Sequence, residues 1–139
     1  MTTDKNILGF DFGMKSIGVA VGHPLTRMAR GIAAIPARDG IPDWHIIGQL
    51  IEEWQPGMLV VGLPLNMNGT EQLMTAAARK FGNRMNNRFN IPVDWQDERL
   101  TTFEALDQMG IRSKMQTSKR SDVDKLSAQI ILQSWLDQQ

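Results

Sequence analysis

Apolar positions in the first third of the chain fall into short unbroken runs, and later ones recur at helical intervals. Residues 7–12 are apolar except for Asp11 and stop at Gly13, the pattern of a strand covered on both faces. Residues 17–22 (Ile-Gly-Val-Ala-Val-Gly) predict a hairpin partner across a turn at 13–16, and 31–35 predict a third strand ended by Pro36. From Asp43 onward, Trp44, Ile47, Leu50, Ile51 and Trp54 follow helical spacing until Pro56-Gly57. Residues 58–61 are a fourth, wholly apolar strand leading into Gly62-Leu63-Pro64. Thr70 is the expected N-cap of a second helix whose buried stripe is Leu73, Ala77, Phe81 and Met85. Asn90-Ile91-Pro92 breaks that helix, and residues 93–96 form a fifth strand. Thr101-Thr102-Phe103-Glu104 is a capping-box pattern opening a short helix that ends near Gly110. Residues 111–120 are polar and basic without periodicity, and Ser121 is expected to cap a last helix reaching about Leu136. The order β-β-β-α-β-α-β-α implies an α/β fold with a mixed five-stranded sheet flanked by helices.

At 139 residues the chain suits a single domain, residues 1–139. It has no cysteine, which removes disulfides and thiolate zinc sites. The first apolar run is too short for a secretion signal or a membrane span, so a soluble, cytoplasmic protein is expected. Fifteen basic residues balance fifteen acidic ones, giving a formal net charge of zero. The basic residues cluster, however: Arg79, Lys80, Arg84 and Arg88 in one segment, Arg112, Lys114, Lys119 and Arg120 in another. Local patches of this kind can bind phosphate while distant acids cancel the total.

The acids carry the candidate chemistry. Asp11 interrupts an apolar strand and shares a face with Ile7 and Gly9, where a bare carboxylate is costly unless hydrogen-bonded, neutralised or bound to a cation. Asp124 heads the stripe Ala128, Ile131, Trp135, which aims it at the sheet, although Ser121-x-x-Asp124 also reads as a capping box. Asp97 and Glu98 follow the fifth strand and point to opposite faces, so only one can join a shared site, and spacing does not choose between them. Hard oxygen donors from separated elements suit Mg²⁺ or Mn²⁺, a chemistry that activates water for in-line attack at phosphorus. His23 and His45 have no zinc-binding spacing, and neither a nucleophile elbow nor a Walker A loop is present.

Four segments together carry a resemblance: Asp11-Phe12-Gly13 with Ile17-Gly18-Val19-Ala20; the stretch from Val61-Gly62-Leu63-Pro64 to Gly69-Thr70; Asp97-Glu98-Arg99-Leu100-Thr101-Thr102; and Asp124-Lys125-Leu126-Ser127-Ala128 through Ile131-Leu132-Gln133. In this order they resemble the YqgF family, also called RuvX, over nearly the whole chain. The resemblance implies a ribonuclease-H-like fold related to Holliday-junction resolvases and a nuclease that matures the 5′ end of pre-16S ribosomal RNA. It also implies a catalytic and metal-binding set of Asp11, Glu98 and Asp124, which selects Glu98 over Asp97, with Mg²⁺ or Mn²⁺ as cofactor. Gly13, Lys15, Arg99, Lys119 and Arg120 are the expected nucleic-acid contacts. Asn68 stands where many members have Asp, His23-Pro24 where Ser-Asp is more usual, and Ser127 where Ala is common.

Three alternatives are weighed against an RNA endonuclease. A resolvase of branched DNA uses the same chemistry, and a non-catalytic nucleic-acid-binding assembly factor could keep the fold. The opening Asp-x-Gly-x-x-x-x-Gly also resembles the phosphate loop of actin-like kinases, but this chain lacks a second domain and a second phosphate motif. A monomer and a homodimer are both compatible with the sequence.

Overall fold

The computed structural model describes residues 5–98 and 120–139. Its strands are β1 (Ile7–Asp11), β2 (Ser16–His23), β3 (Met28–Arg38), β4 (Ile41–Pro42), β5 (Met58–Leu63) and β6 (Val93–Asp97). The described helices are α1 (Trp44–Trp54), α2 (Leu73–Phe89) and α3 (Arg120–Asp137). The expected short helix near residues 101–110 and most of the basic loop at 111–120 lie outside the described residues.

The strands form one sheet in the order β4-β3-β2-β1-β5-β6. The first four are joined antiparallel, whereas β1 with β5 and β5 with β6 run parallel, as crossover helices require. Six strands replace the expected five because Ile41–Pro42 adds a two-residue strand beside Ala37 and Arg38. Pro36 does not end β3. The Ala37 N–H donates to the Lys15 carbonyl, which makes Ser16 and Pro36 a non-hydrogen-bonded pair. Proline's missing N–H therefore points away from β2 and disrupts no ladder bond.

Strand alternation sorts the core into two layers. Leu8, Phe10, Ile17, Val19, Leu59 and Val61 face α1 and α2 with Ile47, Phe81 and Met85. Ile7, Ala20 and Val60 face α3, meeting Ala128, Ile131, Leu132, Trp135 and Leu136. Asp43 caps α1 by accepting from the His45 N–H, and Gln55 closes it in the left-handed conformation. The start of α2 departs from expectation. Gln72, not Thr70, is its N-cap, in reciprocal contact with Thr75, and Thr75 takes the buried place while Leu73 is 93% exposed. Ser121 lies within the first turn of α3 instead of capping it.

Helix α3 sits unusually close to the sheet because glycines lie beneath it. A Cβ on Gly18 would fall 2.0 Å from the Asp124 carbonyl oxygen, and one on Gly62 would fall 2.6 Å from Ile131 Cδ1. Two glutamines tie the same helix to β3: the Gly31 N–H donates to Gln129 Oε1 and the Ala29 N–H to Gln133 Oε1, each at 3.0 Å. Gln133 Nε2 also donates to the Arg27 carbonyl.

Gly18→Ala should therefore destabilise the fold by about 3 kcal/mol or more, since the obstacle is backbone. Gly48→Ala in α1, whose new Cβ meets nothing closer than 3.7 Å, should instead be neutral or stabilising by up to ~1 kcal/mol. Urea unfolding of both variants checks the contrast.

Candidate active site

Asp11 ends β1 on the face turned towards α3. Its register partner across the β1–β2 ladder is Gly18, the residue against which the Asp124 backbone rests. Close packing of helix on strand thus sets these two acids side by side. Glu98 arrives from the other flank. Its N–H donates to the Leu63 carbonyl at 3.2 Å, continuing the β5–β6 ladder, and its Oε2 lies where a Gly62 Cβ would project, 2.3 Å away. A larger residue at 62 would push that carboxylate out of its place on the sheet.

Parity separates Asp97 from Glu98. Val93 and Trp95 pack into the α1–α2 layer, so Asp97 continues their face. Asp94 lies on the opposite face, accepting from Trp135 Nε1 at 2.7 Å, and Glu98 continues that side with Asp11.

The electrostatics follow from this crowding. Burial, and then the Asp124 carboxylate, push the Asp11 carboxyl up to about 7. Burial, then Asp11, then Asp97 push Glu98 up to about 8. Among the described residues, no lysine or arginine forms an ion pair with any of the three acids, whereas Arg79 pairs with Glu71. Asp124 has one polar partner of its own, because Ser16 Oγ donates to its Oδ2 at 2.6 Å. Ser16 was missed by sequence reasoning, which treated residues 13–16 as a turn. The available signal was its even spacing from Gly18 in β2, which puts both on the α3 face.

Among the described residues, no three carboxylates or imidazoles already stand at metal-ligating spacing. The donor set nonetheless fits a hard divalent cation: two half-buried acids are held back from ionising by burial and by their acidic neighbours, and a dication would favour their charged forms.

The expected nucleic-acid contacts divide. Gly13 forms the hairpin turn, where a Cβ would strike the Ser16 carbonyl at 2.5 Å, and Lys15 is exposed at its tip. Arg120 is exposed at the start of α3, in the turn that precedes Asp124. Arg99 and Lys119 lie outside the described residues.

Comparison with known proteins places this architecture. A family model described as RuvX, Holliday junction resolvase, matches residues 5–138. A Glaesserella parasuis protein named "Putative pre-16S rRNA nuclease" is 54% identical over 135 residues, covering 97% of this chain and 98% of its own. A like-named protein of Aeromonas hydrophila is 51% identical over 137 residues, covering 99% and 98%. Among solved structures, T. thermophilus RuvC in complex with Holliday junction substrate aligns with a TM-score of 0.56 at 14% identity, covering 95% of this chain and 93% of that one. The fowlpox virus Holliday junction resolvase aligns at 0.55 and 11% identity, covering 96% and 98%. These distant likenesses establish the ribonuclease-H-like fold. With a family model spanning almost every residue and relatives identical at more than half of their aligned positions, the chain belongs to the RuvX family.

Proposed function

We propose that the protein is a divalent-metal-dependent endonuclease of RNA, with the 5′ end of pre-16S ribosomal RNA as its favoured substrate. The observation that carries this reading is the gathering of Asp11, Glu98 and Asp124 on one face at one end of the sheet, with two of the three held back from ionising by burial and by acidic neighbours. The names of relatives at 54% and 51% identity support the substrate. The family model's own description, Holliday junction resolvase, keeps branched DNA as the second reading. Cleavage of matched RNA and four-way DNA substrates separates them.

In this reading Asp11, Glu98 and Asp124 hold Mg²⁺ or Mn²⁺, which when bound supplies Lewis-acid activation of water and stabilisation of the departing oxygen. The chain's contribution is placement. Asp11 is fixed by the β1–β2 ladder, Glu98 by its backbone bond to Leu63, and Asp124 by the hydroxyl of Ser16. Lys15 and Arg120, with Arg99 and Lys119, supply positive charge for the phosphates of the substrate strand.

Two outcomes follow. Asp11→Asn should lower Mg²⁺-dependent RNA cleavage by a factor of about 100 or more; equal cutting by both purified proteins would attribute the activity to a contaminant. The second concerns pH. The folded protein keeps protons on Asp11 and Glu98 that the unfolded chain releases near pH 4. Metal-free stability should therefore fall as pH rises from about 4 to about 8. Asp11→Asn should recover roughly 2 kcal/mol at pH 8, about half of what a three-unit displacement carries without solvent screening. Mg²⁺ should raise the melting temperature more at pH 8 than at pH 6, and thermal scans at the two values read both effects.

A further inference from the structure

Lys80, Arg84 and Arg88 follow one another at four-residue intervals along α2 and make a single basic row on its surface. The row runs for roughly 12 Å. Among the described residues none of the three is engaged in an ion pair, whereas the adjacent Arg79 is held by Glu71. Beside the row is a pocket of about 210 Å³ lined by Phe12, Met14, Ile41 and Trp44 together with Lys80 and Arg84. Met14 and Ile41 are 42% and 51% exposed, so their side chains are accessible from the pocket. Arg88 lies over the Trp44 ring at 4.5 Å, and Asp39 offers one carboxylate at the same opening.

The pocket's position links it to the acids. Phe12 directly follows Asp11, and Met14 is in the hairpin turn between β1 and β2. The pocket therefore opens at the sheet end that holds the acids but on the opposite face, with the hairpin between them. The exposed Lys15 belongs to that same turn.

We propose that this pocket takes one unpaired nucleotide of the substrate strand, its base against Met14 and Ile41 and its flanking phosphates on Lys80 and Arg84. The inference deepens the nuclease reading and rests on it in taking nucleic acid as the ligand. A base in a duplex is already stacked on its neighbours, whereas an unpaired base can leave the strand and enter a pocket of mixed apolar and basic lining. Asp39 provides an acceptor for a base N–H. The chemistry therefore selects single-stranded nucleic acid near the cleavage site.

The test measures binding in EDTA, where no cleavage occurs, by fluorescence anisotropy with a 12-nucleotide single-stranded RNA and a blunt RNA duplex of the same sequence. The double variant Lys80→Ala, Arg84→Ala should bind the single strand at least tenfold more weakly. The slope of log affinity against log salt should become shallower by roughly 1.4, or 0.7 for each lost phosphate contact. Duplex affinity should fall distinctly less, because a duplex has no unpaired base to seat beside these charges. Ile41→Asp should weaken single-strand binding through the pocket wall, and circular dichroism melts establish that each variant is folded. Equal losses on both ligands, no loss on the single strand, or failure of the wild type to bind the single strand would each overturn the proposal. Restoring Mg²⁺ separates the two readings. Wild-type binding with this pattern but no cleavage removes the nuclease reading and leaves the pocket. Cleavage by a double variant that binds normally does the reverse.

Discussion

Everything distinctive about this molecule depends on how closely α3 approaches the sheet. The helix backbone rests on Gly18 at a separation that no other residue would permit, and the side chain of Ile131 lies over Gly62. That approach does two things at once. It buries the apolar stripe from Ala128 to Leu136 against Ile7, Ala20 and Val60, and it sets a helix carboxylate beside a strand carboxylate. The burial is favourable, while the juxtaposition is costly. A fold that accepts the cost at one end of the sheet, with a glycine floor provided for it, has an arrangement that stability alone does not explain.

The sequence carried much of this in readable form. Strand parity put Asp11 on the face of Ile7 and Gly9, and helical period put Asp124 in line with Ala128, Ile131 and Trp135; the two faces proved to be the same interface. The choice between Asp97 and Glu98 was beyond it for a physical reason. Both faces of the sheet are covered by helices, so alternation in β6 shows that the two acids diverge but not which layer each enters. Only the pairing of β6 with β5, together with the Asp94–Trp135 hydrogen bond, fixes the sides. Ser16 escaped because a polar residue after a glycine reads as turn, although it is already the first residue of β2.

The misplaced elements have equally local causes. Pro36 reads as a terminator because proline cannot donate, yet one pairing position in two along an antiparallel ladder asks for no donor on that side. Leu73 fits the apolar stripe of α2 by spacing, but the helix begins at that residue, and the buried first turn is closed by the Thr75 hydroxyl working with Gln72 and the Pro64 carbonyl. In both cases hydrogen-bond accounting at an element's end outweighed the periodic signal. Among the described residues no helix is long and apolar enough to cross a membrane.

The glutamines of α3 have a mechanical meaning. Gln129 and Gln133 are one helical turn apart, and the Ala29 and Gly31 amides they accept from are two strand residues apart, so a rise of about 6 Å on the helix meets about 6.6 Å on the strand. The match works like a rack and pinion. Sliding α3 by a single residue would strip both amides of their partners while carrying Asp124 off Gly18. The position of the carboxylate is thus indexed from further along the helix, by groups that never approach the acids themselves.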